Sequence, residues 1–207
     1  MSLTKNELKA AIEAVAECDR HVAEALNQVG LPEERVRGAG FESLLRILVG
    51  QQLSVKAAAS IWSKCEALLG DVSPERILAH DIETLRGAGL SRQKALYAHA
   101  MSEAVLEGSL DLKGLGALDD DEAKTHICAV KGLGPWTAEI YLLFCDGRHD
   151  IWPSGDLALQ VALGRLKGLK ERPKAKETLP LVEPWRPHRG AMAVFLWHYY
   201  AQSDAPV

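Results

Sequence analysis

The run Lys131-Gly132-Leu133-Gly134-Pro135-Trp136-Thr137-Ala138 and the isolated Asp156, which follows Trp152-Pro153-Ser154-Gly155, are the parts of this chain whose residue types and spacing could do chemistry. A Gly-x-Gly turn between two helices leaves several backbone N–H groups bare at a helix start. Such groups hold a phosphate without any side-chain charge. Asp156 brings a single carboxylate to the mouth of another helix. Together they predict a chain that grips a nucleic-acid backbone and performs carboxylate chemistry beside it.

These residues need helices to position them, and almost every segment reads as one. Leu8, Ile12, Val15, Val22 and Leu26 recur at helical spacing over Lys5 to Val29, which Gly30-Leu31-Pro32 ends. Phe41, Leu44, Leu45 and Leu48 share one face of a helix over Phe41 to Val49. Gly50-Gln51-Gln52-Leu53-Ser54 interrupts it, and Ser54 can cap a following helix from Val55 to Leu69. Ser73-Pro74-Glu75 and Asp81 have the form of further helix starts, and Gly87-Ala88-Gly89 is a turn before a helix over Arg92 to Leu106. The segment Asp119 to Val130 opens with acidic residues, as suits a helix N-terminus, and runs into the glycine turn. Pro135 is well placed at the next helix start. Leu157 to Leu166, capped by Asp156, and Arg189 to Tyr200 complete the set, with Lys167 to Lys176 a charged loop between them. No alternating strand pattern runs beyond a few residues. The predicted fold class is all-α.

The bulk numbers narrow the function classes. At 207 residues and 47% hydrophobic content the chain can bury a substantial core and is too apolar for disorder. No apolar run reaches the roughly 18–20 residues needed to cross a bilayer. Met1 to Asp19 lacks the apolar stretch of a secretory signal, so an intracellular protein is expected, cytoplasmic and nucleoid-associated in a bacterium. Cys18, Cys65, Cys128 and Cys145 stand far apart with no CxxC pair, and they read as buried free thiols. His21, His80, His99, His126 and His198 show no ligand spacing. The net charge of −4 argues against a conventional basic nucleic-acid binder, though not against one local face that grips with backbone N–H groups.

The hairpin, Asp156 and the ending Pro184-Trp185-Arg186-Pro187-His188-Arg189 resemble the helix-hairpin-helix (HhH-GPD) DNA glycosylase superfamily, and within it the 3-methyladenine DNA glycosylase II (AlkA-type) branch. The likeness runs from about Phe41 to Tyr200 and includes Gly50-Gln51-Gln52-Leu53-Ser54-Val55. It implies two helical lobes around a DNA-binding cleft, one over about residues 41–115 and one over about 116–200. The second would hold both the hairpin (120–146) and the catalytic aspartate, and residues 1–40 would form a helical extension in place of an N-terminal β domain. The implied activity is excision of alkylated purines such as 3-methyladenine and 7-methylguanine, by flipping the base out of duplex DNA and hydrolysing its N-glycosidic bond.

Roles follow from the resemblance combined with that chemistry. Asp156 would stabilise the electron-poor sugar as the base departs. Trp136, Trp197, Trp152, Tyr141 and Ile140 would form the base pocket, where aromatic faces favour a cationic base. Gln52 and Leu53 would wedge into the emptied stack. Gly132, Gly134 and Thr137 would hold the DNA backbone, with Arg92 and Lys94 reaching phosphates. Several family members bind a monovalent cation among hairpin carbonyls, here near Gly132 and Gly134; no other metal and no cofactor is expected. Bifunctional members carry a nucleophilic lysine where Trp136 stands, and the family's C-terminal cluster cysteines are missing, so a monofunctional enzyme is implied. A monomer with double-stranded DNA as partner fits this reading. Two alternatives stay open: a helix-hairpin-helix module that binds DNA without chemistry, and a glycosylase for oxidised or mismatched bases.

Overall fold

The computed structural model describes residues 3–34 and 37–202; Met1, Ser2, Arg35 and Val36 of the expected N-terminal extension, and residues 203–207, lie outside the described residues. Among the described residues every regular element is helical and there is no strand, as the periodicity predicts. The helices are α1 (Lys5–Cys18), α2 (Arg20–Val29), α3 (Phe41–Gly50), α4 (Val55–Leu69), α5 (Pro74–Leu78), α6 (Ile82–Gly87), α7 (Arg92–Leu106), α8 (Asp120–Cys128), α9 (Pro135–Tyr141), α10 (Leu157–Leu166), α11 (Ala175–Val182) and α12 (Arg189–Gln202). A π-helical turn over Leu142–Asp146 prolongs α9.

The chain divides into two compact units, one of Met1–Val36 with Gly147–Val207 and the other of Arg37–Asp146. This differs from the expected boundary near residue 115. The glycine hairpin belongs to one unit and Asp156 to the other. Nor are α1 and α2 an appendage: α1 packs on α2 and α12, and α2 on α10 and α12. The physical reason is the apolar stripe of Leu8, Ile12, Val15 and Val22, which is buried, as is the run Ala191–Leu196 of α12, the helix on which both α1 and α2 pack within the same unit.

The long helix expected over Lys5 to Val29 is broken at Asp19, whose extended backbone ends α1 and begins α2. Its carboxylate accepts from the His21 N–H at 3.1 Å, from the Trp185 indole at 2.8 Å and from the Lys167 ammonium. Burial alone would push this carboxyl up, but the bonds from Lys167 and Trp185 outweigh it and hold it below the usual aspartate value. Local periodicity could not show this break, because the partners lie far along the chain.

In the other unit, α3 buries Leu44, Leu45, Ile47, Leu48 and Val49 and packs against α4, α7 and α9. The helix α8 packs on α9, and α7 covers α5 and α6. The thiols divide by exposure: Cys65 and Cys145 are buried, Cys128 is half-buried, and Cys18, expected inside, is exposed on α1. Three histidines serve as local struts. His126 accepts the Asp111 N–H at 3.0 Å, while His99 bonds the His80 carbonyl and His198 the Val29 carbonyl.

Candidate nucleic-acid interface and catalytic carboxylate

The hairpin starts from a well-capped helix. Asp119 accepts the Glu122 N–H at 2.8 Å while Glu122 accepts the Asp119 N–H at 3.1 Å, a capping box that fixes the first turn of α8. At the turn, Leu133 is buried and anchors the loop from within. Gly132 has φ +95°, and a Cβ there would stand 2.1 Å from Tyr97 Cγ, so only glycine fits. Gly134 is different. Its φ of −86° and ψ of 176° suit any residue, and nothing lies within 4 Å of where a Cβ would be. The fold does not demand glycine there. The following helix α9 begins with Pro135, whose missing N–H suits a first helical position, and has no side-chain cap.

Two expected backbone contacts are structural instead. Thr137 is 1% exposed, and its hydroxyl accepts the Gln51 side-chain N–H at 2.7 Å, so it has no surface to offer a phosphate. Lys94 is turned inward, donating to the Val49 carbonyl at 2.8 Å and the Gln51 carbonyl at 2.7 Å. Burial lowers its pKa from the usual lysine value. Arg92, by contrast, is exposed on the first turn of α7. The Gly132 carbonyl, expected among the ligands of a monovalent cation, accepts the Gln51 amide at 3.3 Å, so one of its lone pairs is already engaged. Among the described residues no group of His, Cys, Asp and Glu is arranged to hold a metal.

The turn between α3 and α4 presents Gln52 and Leu53 outward. Gln52 is exposed with φ +56°, the one non-glycine in the left-handed region among the described residues, and Leu53 is 39% exposed. Ser54 caps α4 by accepting the Ala57 N–H at 3.3 Å. Gln51, which the sequence gives no separate role, joins this turn to the hairpin through its side-chain amide.

Asp156 lies in the other unit at the N-cap of α10. One oxygen, Oδ1, accepts both the Leu159 N–H at 3.0 Å and the Trp197 indole N–H at 3.2 Å. Two donors on one oxygen fix the plane of the carboxylate, and the side chain is half-buried, not sealed. The loop that carries it is fastened at several points. Asp150 binds the Arg189 guanidinium through Nε and Nη2, both at 2.9 Å, and Arg186 Nη1 at 2.7 Å. Gly190 N–H donates to the His149 carbonyl at 2.8 Å, and the Gln160 amide to the Ser154 carbonyl at 2.8 Å.

The five expected pocket residues separate. Trp136, second residue of α9, and Trp197 on α12 are half-buried with surface to offer a ligand. Trp152 is a core residue: it is 6% exposed, donates to the Thr178 hydroxyl at 3.0 Å, and meets Trp185 edge-on at 6.2 Å. Tyr141 is fully buried, accepts the Gly40 N–H at 2.8 Å, and burial pushes its phenol to about 12. Ile140 is buried beside it in α9. Bulk and hydrogen-bond demand hold these three inside their units.

A glycine hairpin between helices in one unit and an aspartate-capped helix in the other place the chain among helix-hairpin-helix DNA repair proteins. The family comparison agrees: the chain belongs to the HhH-GPD superfamily of base excision DNA repair proteins, which matches residues 45–187. It is 31% identical over 164 residues, 77% of each chain, to the alkylbase DNA glycosidase-like protein mag2 of Schizosaccharomyces pombe. It is 30% identical over 161 residues, 76% of this chain and 71% of the other, to DNA-3-methyladenine glycosylase 1 of the same yeast. Among solved structures, the Schizosaccharomyces pombe 3-methyladenine DNA glycosylase Mag1 in complex with abasic DNA matches with TM-score 0.88 at 26% identity, over 96% of this chain and 100% of that one.

Proposed function

We propose that this protein is a monofunctional DNA glycosylase that extrudes alkylated purines, such as 3-methyladenine and 7-methylguanine, from duplex DNA and hydrolyses the N-glycosidic bond, the opening step of base excision repair. The observation that carries this reading is the Asp156 carboxylate, oriented by the Leu159 N–H and by the indole of Trp197. The relatives named for alkylated-base and 3-methyladenine excision support the same substrate class.

The chemistry suits one carboxylate. Alkylation at N3 or N7 makes a purine cationic, so it leaves as a neutral molecule and needs no general acid. Positive charge then develops on the sugar, and Asp156 stabilises it and orients the attacking water. The rings of Trp197 and Trp136 favour a cationic base through their electron-rich faces, worth about 2 kcal/mol when water is excluded. The hairpin N–H groups around Gly134 hold the backbone, and Gln52 and Leu53 fill the space the base vacates. Extrusion costs a few kcal/mol, which is lowest for a damaged base. Trp136 supplies no amine, so no Schiff base forms at that position. The protein acts as a monomer on double-stranded DNA, within the cell.

The test is release of free base from a duplex carrying one alkylated purine. Wild-type protein releases it, Asp156→Asn does not, and borohydride traps no covalent adduct. Tight binding without release identifies a DNA-holding module instead, and a trapped adduct identifies a bifunctional enzyme for oxidised bases.

A further inference from the structure

Lys94 and Gln51 hold the turn between α3 and α4 from two sides, and the glycosylase reading gives neither of them a task. The Lys94 ammonium, half-buried near the start of α7, reaches back to the C-terminal end of α3, where helix carbonyls lack intrahelical donors. It donates to the carbonyls of Val49 and Gln51, on either side of Gly50. Among the described residues no carboxylate pairs with it, so these two carbonyls supply its solvation. A cation at a helix C-terminus is electrostatically favoured, which strengthens the lock. The Gln51 side chain points the other way. Its two amide hydrogens are used on the Gly132 carbonyl and the Thr137 hydroxyl of the hairpin, at 3.3 and 2.7 Å.

Between these fastenings sits Gln52 at φ +56°. A long side chain on a left-handed backbone is strained, and it persists only where the surroundings dictate the conformation. Here the peptide entering Gln52 is dictated, because its carbonyl oxygen, that of Gln51, is bound to Lys94. Gln52 itself makes no side-chain hydrogen bond among the described residues and is exposed.

We infer that Lys94 and Gln51 are positioning residues for the Gln52–Leu53 wedge, holding it in a preorganised shape and joining it to the backbone-gripping hairpin as one stiff assembly. This rests on the glycosylase reading of the wedge. A stiff wedge loses little freedom when it enters the stack, so the stacking and pairing energy of the extruded base is opposed more effectively. Lys94 therefore acts on extrusion and leaves bond cleavage to Asp156.

The test compares 7-methylguanine paired with cytosine against 7-methylguanine facing an abasic site, where little pairing has to be broken. Single-turnover base release by Lys94→Met falls tenfold or more on the paired substrate and no more than about threefold on the unpaired one. Gln51→Leu, which keeps the Lys94 bonds and cuts the tie to the hairpin, shows the same selectivity to a smaller degree and serves if Lys94→Met does not fold. A readout independent of hydrolysis uses 2-aminopurine beside an abasic analogue: its fluorescence rises on binding wild type and rises less with either variant. Equal losses on both substrates, as partial misfolding would give, or no loss on either, overturn the inference while the wild-type activity keeps the glycosylase reading. A wild type that releases no base from either duplex overturns both.

Discussion

The two hairpin glycines invite opposite outcomes from the same substitution. In Gly132→Ala the new Cβ would lie 2.1 Å from Tyr97 Cγ, on a backbone held at φ +95°. Left-handed backbone costs an L-residue roughly 1–2 kcal/mol, and overpacking a filled site costs roughly 1–3 kcal/mol. The expected loss of folding stability is therefore about 2–5 kcal/mol, a large share of the ~5–15 kcal/mol typical of a domain. Introducing Gly132→Ala into a Tyr97→Ala background removes the clash and leaves the backbone part alone, so its cost there drops to about 1–2 kcal/mol. Gly134→Ala has neither penalty, since its dihedrals are ordinary and the space is open. Alanine is a poorer N-cap than glycine, and this is offset by the ~0.4–1 kcal/mol gained from a less flexible unfolded chain, leaving a net change near zero. A methyl group at Gly134 would nevertheless stand where the proposal puts a phosphate. DNA affinity should fall tenfold or more, a change of ~1.4 kcal/mol or greater. Urea unfolding gives the first quantity, and fluorescence anisotropy with a duplex bearing an abasic analogue, at one fixed salt concentration, gives the second. Gly134→Ala binding DNA as wild type does would refute a backbone grip at this turn. Gly132→Ala unfolding at the wild-type midpoint would refute the packing argument.

Three further outcomes follow from individual bonds. Asp156→Asn keeps an acceptor for the Leu159 and Trp197 N–H groups and should leave stability within about 0.5 kcal/mol, whereas Asp156→Ala loses the cap and should cost about 1–2 kcal/mol; base release falls about 100-fold or more in both, by analogy with the loss of a preorganised charge. Asp150→Ala leaves the Arg189 guanidinium, whose side chain is 13% exposed, with only the more distant Glu183 carboxylate and the residue-150 carbonyl, and should cost about 1–3 kcal/mol in urea unfolding, while Arg186→Ala, removing a side chain 52% exposed, should cost under about 1 kcal/mol. Asp19 has a carboxyl pKa below its unfolded value, so its stabilising effect is complete above about pH 4 and is lost as the pH falls through the folded value; Asp19→Asn should be less stable than wild type at pH 7, and the gap should narrow by pH 3, a constant gap counting against the ion pair with Lys167.

What the sequence made legible was local. Proline at the start of α9, serine before α4, aspartate before α10 and the acidic run before α8 each act within one turn of their own position, and each stands at the helix end it predicts. The missed features all require a partner far along the chain. Asp19 breaks a helix for the sake of Lys167 and Trp185, and Trp152 is drawn into the core by Thr178 and Trp185. Lys94 follows a glycine turn and a helix cap, the ordinary setting of a solvated phosphate contact, yet its ammonium serves carbonyls 43 and 45 residues earlier. The same distinction separates the two glycines. Gly132 is explained by Tyr97, a contact visible only in three dimensions, and once that contact is subtracted Gly134 remains as a glycine the fold does not need. Gly38, Gly87, Gly116 and Gly155 are equally unconstrained, so what sets Gly134 apart is its place at the start of α9, beside the hairpin turn. The net charge of −4 is no obstacle to the backbone grip proposed at this turn: backbone dipoles can hold a phosphate on a chain that is acidic as a whole.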